Sequence, residues 1–248
     1  MGKVLLVTGG SRGIGAATAR LAGARGYAVA VNYLRNREAA EAVVADITRA
    51  GGTAIAVAGD VALEEDVLRI FATVDERLGR LTALVNNAGV LDRQARLDEM
   101  EAARMQRIFA TNIFGAFVCA REAVRRMSTR HGGAGGAIVN VSSAASRLGS
   151  PNEFIDYAAS KGALDTLTIG LAKEVGNEGI RINGVRPGLI HTDIHDDSGN
   201  PNRIAHFVPG VPMQRGGTAE EVAQAILWLL SDEASYVTGA TIDVTGGR

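Results

Sequence analysis

Lys3-Val4-Leu5-Leu6-Val7-Thr8-Gly9-Gly10-Ser11-Arg12-Gly13-Ile14-Gly15 decides the architecture. The run from Lys3 to Val7 has no polar alternation, which suits a strand buried on both faces of a parallel sheet. It leads straight into a glycine-rich turn, and Ile14, Ala17, Thr18 and Leu21 then recur at helical spacing. Strand, turn and helix in that order make a phosphate-binding device. Glycines allow tight geometry and close approach, and a helix N-terminus presents unpaired N–H groups with a partial positive charge. A simple tight turn would use similar glycines; the place between a buried strand and a helix is what points to a nucleotide. The strict G-x-G-x-x-G spacing is absent, because Thr18 stands where its last glycine would fall when counting from Gly13. Gly9, Ser11, Arg12, Gly13, Ile14 and Gly15 are the candidate contacts.

Outward from this unit the same alternation repeats. Strands are predicted at Tyr27 to Asn32, Thr53 to Ala58, Leu81 to Val85, Ala137 to Val141, Ile180 to Val185 and Ala240 to Val244. Between them Ala40, Val43, Val44 and Ile47 mark one helix, and Val67, Ile70, Phe71, Val74 and Leu78 another that stops at Gly79. Met105 to Met127 reads as one long helix, and Thr218-Ala219-Glu220-Glu221 has the form of a capping box. Residues 130–136 read as a flexible surface connection with His131 solvated. The irregular stretch 191–217 reads as a functional lid. Its His195, Asp196, Asp197 and His206 match no standard metal-site spacing and are read as solvated. No linker or repeat interrupts the pattern. The expectation is a single doubly wound, Rossmann-type α/β domain over residues 1–248.

The end of the second strand bears on the cofactor. An acidic residue usually stands there to take the ribose hydroxyls of NAD. Asn32 holds that place, followed by Tyr33, Leu34 and Arg35, and Arg12 adds a cation inside the turn. Missing negative charge with guanidinium at hand favours a 2′-phosphate, so NADP is preferred with NAD possible. The competing reading is that Arg12 and Arg35 are simply solvated. After the fourth strand, Asn86-Asn87-Ala88-Gly89 offers amides beside small residues, room for a flat ring, although a strand-ending turn would look alike.

Tyr157-Ala158-Ala159-Ser160-Lys161 opens a further helix whose stripe 157, 161, 164, 168, 171, 175 places phenol and ammonium one turn apart on one face. A neighbouring positive charge favours the phenolate, which brings a tyrosine proton within reach near neutral pH. An isolated Tyr-x-x-x-Lys would more simply line an amphipathic helix. Ser142-Ser143 closes the fifth strand at the end where ligands of open parallel sheets bind, fourteen residues before Tyr157. Asn112 falls among apolar residues and needs a partner: either it caps a bend, or it binds a water or backbone group of a site.

Composition limits the rest. Lys plus Arg number 26 against 27 Asp plus Glu, without a basic block or acidic tail, which argues against nucleic acid and anionic membrane as partners. The one cysteine, Cys119, lies in an apolar helical stretch and reads as a small core residue. No apolar run approaches bilayer-spanning length and no leader pattern precedes the first strand, so the expected location is the cytoplasm.

Taken together, Thr8 to Gly15, Asp60-Val61, Asn86-Asn87-Ala88-Gly89, Asn112, Ser143, Tyr157-x-x-x-Lys161 and Pro187-Gly188 resemble the short-chain dehydrogenase/reductase family. Within it they resemble the branch of ketoacyl-carrier-protein reductases and glucose dehydrogenases. A slightly longer loop between Ser143 and Tyr157 leaves the catalytic assignment intact but gives no ground for carrying over a substrate from that branch. The resemblance implies a seven-stranded parallel sheet and a homotetramer. It implies Tyr157 as general acid/base, Lys161 lowering the phenol's pKa and holding the nicotinamide ribose, Ser143 bonding the substrate oxygen, and Asn112 positioning a water. It also implies Asp60 and Val61 at the adenine, Asn86, Ala88 and Gly89 beside the cofactor, and Pro187, Gly188, Ile190 and Thr192 around the nicotinamide. The function expected is hydride transfer between nicotinamide and a small carbonyl or secondary alcohol; the alternative is a catalytically silent NADP-binding regulator of the same fold.

Overall fold

The computed structural model describes residues 2–192 and 203–248. Seven strands form one parallel sheet: β1 (Lys3–Val7), β2 (Tyr27–Tyr33), β3 (Thr53–Ala58), β4 (Ala83–Asn86), β5 (Gly136–Val141), β6 (Ile180–Pro187) and β7 (Thr241–Val244), in the order β3-β2-β1-β4-β5-β6-β7. The helices between them are α1 (Gly13–Ala24), α2 (Arg37–Arg49), α3 (Glu64–Arg77), α4 (Ala102–Phe109), α5 (Ala116–Met127), α6 (Ala145–Leu148), α7 (Ile155–Val175), α8 (Arg203–Phe207) and α9 (Ala219–Leu230).

The pleat sorts the core into two layers. Leu5, Val7, Val29, Val31, Val139 and Val141 face one side of the sheet, with Ala19, Val43, Ile226 and Leu229 of α1, α2 and α9. Their neighbours Val4, Leu6, Ala30, Leu84 and Ile138 face the other, with Phe71, Cys119, Met127 and Val175 of α3, α5 and α7. Strands apolar on every residue are therefore strands covered on both faces. Cys119 is fully buried, and burial pushes its thiol up to about 12, consistent with an inert core position.

Topology fixes the cleft. The chain winds outward from β1 to β3, returns to place β4 beside β1, and then winds the other way. At this reversal the loops after β1 and β4 diverge and leave a crevice at the carboxyl ends of the strands.

The structure departs from the sequence reading in several places. The segment 105–127 is helical throughout, as expected, but not uniformly α: six residues from Ala110 to Gly115 form a π turn between α4 and α5. A Cβ at Gly115 would stand 2.7 Å from the Val61 carbonyl oxygen, so the bulge brings backbone against the loop after β3. Residues 130–136 are not a loose connection. Gly133 and Gly135 donate to the carbonyls of Ser128 and Met127 at 2.8 Å each, and side chains at either glycine would overlap neighbouring backbone. The loop before Tyr157 contains the short helix α6, and α7 starts at Ile155, ahead of Tyr157. Finally, β4 starts at Ala83 rather than Leu81. Gly79 ends α3 with φ +94°, and the Thr218–Glu221 capping box is formed. The predicted lid is tied at its base, where His191 N–H donates to Gly217 O at 2.9 Å and Gly217 N–H to Leu189 O at 2.8 Å. His195, Asp196 and Asp197 lie outside the described residues.

Candidate active site

Gly9 (φ 61°) and Gly13 (φ 53°) adopt left-handed backbone in the turn after β1. Gly15 needs its missing side chain for space: a Cβ there would overlap the Gly9 carbonyl oxygen and stand 2.5 Å from Asn87 Nδ2. Asn87 holds the turn, donating to the carbonyls of Thr8 (2.9 Å) and Gly9 (3.0 Å), and the Thr8 hydroxyl accepts from the N–H groups of Asn87 and Ala88 at 3.0 Å each. Helix α1 begins with Arg12 in the N-cap position, no side-chain cap and no acid in its first turn. Its leading N–H groups therefore suit an anion. Thr192 lies across the turn, its Cγ2 3.3 Å from where a Gly13 Cβ would be.

Asn32 is buried at the end of β2. Its Oδ1 accepts from Gly9 N–H (3.3 Å), and its Nδ2 donates to the carbonyls of Val57 (3.2 Å) and Gly59 (3.1 Å). The amide thus braces the turn against β3. Arg12 and Arg35 are exposed, Ser11 is half-buried, and the first carboxylate along the chain is Glu38. Asp60 caps the Ala62 N–H at 2.9 Å, and Val61 is buried against Gly115.

A cavity of about 540 Å³ opens between this turn and α7. Ile14, Asn87, Gly89, Ser143, Tyr157, Lys161, Pro187, Gly188, Ile190 and Thr192 all line it, so residues far apart in the chain meet in one crevice. Lys161 Nζ donates to the Val141 carbonyl at 2.7 Å and lies 5.5 Å from the centre of the Tyr157 ring. Burial pushes the Lys161 ammonium down to about 8, with Asp165 one turn on pulling the other way. The Ser143 hydroxyl accepts from Ala145 N–H at 3.1 Å. Asn112 is completely buried in the π turn. Its Oδ1 accepts from Val90 N–H (2.8 Å), and its Nδ2 donates to Val90 O (2.9 Å) and Ser160 Oγ (3.0 Å). Both readings of Asn112 meet here: it sits in the bend and clamps backbone beside the site. Lys161 Nζ and Asn112 Oδ1 would stand 3.3 and 3.6 Å from a Gly89 Cβ, so a glycine at 89 leaves both groups room.

One predicted contact points elsewhere. The Asn86 amide is buried away from the cavity lining and donates to Ala116 O (3.1 Å) and Asn140 Oδ1 (3.0 Å), within a network that continues to Thr168. Asn87, the second amide of the same motif, is the one on the cleft. Strand alternation carried the signal, since successive side chains at a strand end face opposite sides. The cavity's outer walls are mixed, with Leu91, Leu148, Pro151, Phe154 and Phe207 beside Ser150, Glu153 and Arg248.

Residues 9–248 match a family model described as enoyl-(acyl carrier protein) reductase. An uncharacterized oxidoreductase of Escherichia coli, YgfF, is 56% identical over 99% of both chains. A 3-oxoacyl-[acyl-carrier-protein] reductase of Synechocystis is 39% identical over 99% of this chain and 96% of its own length. The crystal structure of a short-chain type dehydrogenase/reductase from Mycobacterium marinum superposes with a TM-score of 0.93 at 34% identity, covering 99% of this chain and 95% of the other.

Proposed function

The chain belongs to the short-chain dehydrogenase/reductase family of oxidoreductases, and from that premise we propose that it reduces a small ketone, or oxidises the matching secondary alcohol, with NADP preferred. One observation carries the reading: Lys161 and Tyr157 face each other in a cavity they share with Ser143. The glycine turn, the uncapped start of α1 and the space at Gly89 fit a pyridine dinucleotide, which when bound supplies or accepts the hydride.

The protein's own part is proton management and orientation. The ammonium of Lys161 stabilises the phenolate of Tyr157 relative to the phenol, so the tyrosine can give up its proton to a developing alkoxide. Ser143 donates its hydroxyl hydrogen to the same oxygen and fixes the carbonyl against the phenol. Asn112 holds the Val90 backbone and Ser160, and so keeps the floor beside Lys161 in register. Pro187 to Thr192 would wall the nicotinamide end of a bound dinucleotide, and Gly9 to Gly15 with Asn87 would receive its phosphates. The absence along the chain of any carboxylate before Glu38, with Arg12 in the glycine turn and Arg35 just beyond β2 both exposed, supports NADP.

Tyr157→Phe tests the reading. Turnover with NADPH and a panel of sugars, ketoacyl thioesters, steroids, quinones and simple ketones should vanish while NADPH binding persists; retained turnover removes Tyr157 from its role. Wild-type protein silent on the whole panel would favour the regulator. We further propose a homotetramer, supported by Phe114, Phe117, Ile155 and Ile169 exposed beside Ala159 on α7 and the neighbouring π turn and α5. Light scattering showing a monomer would dispose of it. Among the described residues no helix is long and apolar enough to cross a membrane.

A further inference from the structure

Tyr157 sits in the first turn of α7, where helices fray and N–H groups lack intrahelical acceptors. Phe154 occupies the N-cap position and no side chain caps the helix from there. Instead Asp156 Oδ1 accepts the Tyr157 N–H at 2.9 Å. Asp156 is in turn gripped from α4: Arg104 donates through Nε to Oδ2 at 2.8 Å and through Nη2 to Oδ1 at 3.2 Å, with the two side chains 11% and 1% exposed. The third arm of the same guanidinium, Nη1, donates to the Arg93 carbonyl at 2.6 Å. Two further bonds join these segments, from Ala95 N–H to Glu153 O at 3.1 Å and from Gln94 Nε2 to Glu153 Oε1 at 2.9 Å. One buried guanidinium therefore ties the segment that gives Leu91 to the cavity to the rim that gives Glu153, Phe154 and Tyr157.

A buried ion pair is a poor device for stability alone, since apolar replacements often do as well. What a bidentate fork supplies is fixed orientation. We propose that Arg104 and Asp156 are positioning residues for the reaction: they hold the first turn of α7 so that the Tyr157 hydroxyl stays aligned with Lys161 and the substrate carbonyl. The inference rests on the reading of Tyr157 as proton donor.

The test is the double variant Arg104→Met/Asp156→Asn, which leaves no unpaired buried charge and keeps an acceptor for the Tyr157 N–H, beside Arg104→Lys, which keeps a cation without the fork. With NADPH and the best ketone of the panel, kcat of the double variant should fall by roughly 30- to 100-fold, as misplacement of a catalytic group by about 1 Å does. The Kd for NADPH should stay within about twofold, the solvent deuterium isotope effect on kcat should rise, and Arg104→Lys should recover part of the loss. Wild-type kcat in the double variant overturns the proposal, as does a loss of NADPH affinity in step with kcat. Where the double variant does not fold, Arg104→Lys decides: reduced kcat at unchanged NADPH affinity supports the proposal, and wild-type kcat overturns it. Tyr157→Phe measured alongside separates the two readings. An active Tyr157→Phe defeats the proton-donor role itself, whereas an inactive one beside a fully active double variant defeats only the Arg104–Asp156 inference.

Discussion

Around the glycine turn, buried polar atoms are matched one by one with backbone. Thr8, Asn32 and Asn87 place their side chains on the carbonyl or N–H groups of residues 8, 9, 57, 59, 85, 87 and 88. Under Tyr157 the fold does the reverse, holding the Lys161 ammonium largely desolvated at the cavity wall, where the Val141 carbonyl accepts its hydrogen bond and Asp165 lies one turn on. The first region is a preformed mould whose hydrogen bonds stabilise it before any ligand arrives. The second carries a desolvated charge that weakens the fold and makes sense only through what it does to its neighbour. Substitutions in the first region should therefore lower stability and cofactor affinity together, whereas loss of the Lys161 charge should lower turnover while raising stability.

The largest effect is expected at Lys161. Lys161→Met should lower turnover by about 10³-fold or more, because the proposed phenolate stabilisation and hold on the nicotinamide ribose would both be lost. The same change should raise the stability of the ligand-free protein at pH 7. The folded pKa of about 8 lies below the unfolded value near 10.5, so below pH 8 both states are protonated and the folded state bears the whole cost of the buried cation, about 3 kcal/mol. Between pH 8 and about 10.5 the native protein releases the proton first, so wild-type stability rises with pH through that window. Losing the Val141 hydrogen bond returns about 1 kcal/mol, leaving a net gain near 2 kcal/mol at pH 7 that closes by pH 10. Urea titrations of both proteins at the two pH values measure it; a variant less stable than wild type at pH 7 would remove the contrast between the regions.

Gly15→Ala should damage the mould without touching the proton chemistry. Its Cβ has no space between Gly9 O and Asn87 Nδ2, and both are backbone or tightly held. A loss of about 2–3 kcal/mol in stability is expected, with NADPH affinity falling by at least about tenfold. Asn32→Asp comes next. A carboxylate at this position is the usual mark of an NAD site, but here it would turn two donors into acceptors facing Val57 O and Gly59 O, at about 2 kcal/mol in stability. Thermal unfolding decides the point. An undiminished midpoint with a switch to NADH would show that the amide touches cofactor rather than the turn.

These variants also mark where sequence reading stops. The winding, both core layers, the capping box and the meeting of Ser143, Tyr157 and Lys161 were legible because each follows from local periodicity or from the rule that strands of a parallel sheet end at the same edge. The π turn was not, since it sits where Gly115 meets the backbone of Val61 from another loop, a contact no local pattern records. Asn86 and Asn87 looked interchangeable in sequence, and only the position at which β4 ends sends one into the core and the other to the cleft. Arg104 and Asp156 lie 52 residues apart and carry no shared motif, so their pairing exists only in three dimensions.

The smallest effect bears on the cofactor's outer edge. Arg35 is exposed just beyond β2, and Asn32 is already engaged with the protein, so a 2′-phosphate would meet guanidinium at the surface rather than a buried pocket. An exposed, screened contact of this kind contributes about 0.5–1 kcal/mol. Arg35→Ala should accordingly raise the Kd for NADPH only about two- to fivefold, leave NADH binding unchanged, and lose even that difference in about 0.5 M salt. Equal weakening of both nucleotides would instead assign Arg35 to the shape of the mould, on the same footing as Asn32, and leave the choice of cofactor to Arg12 and the turn.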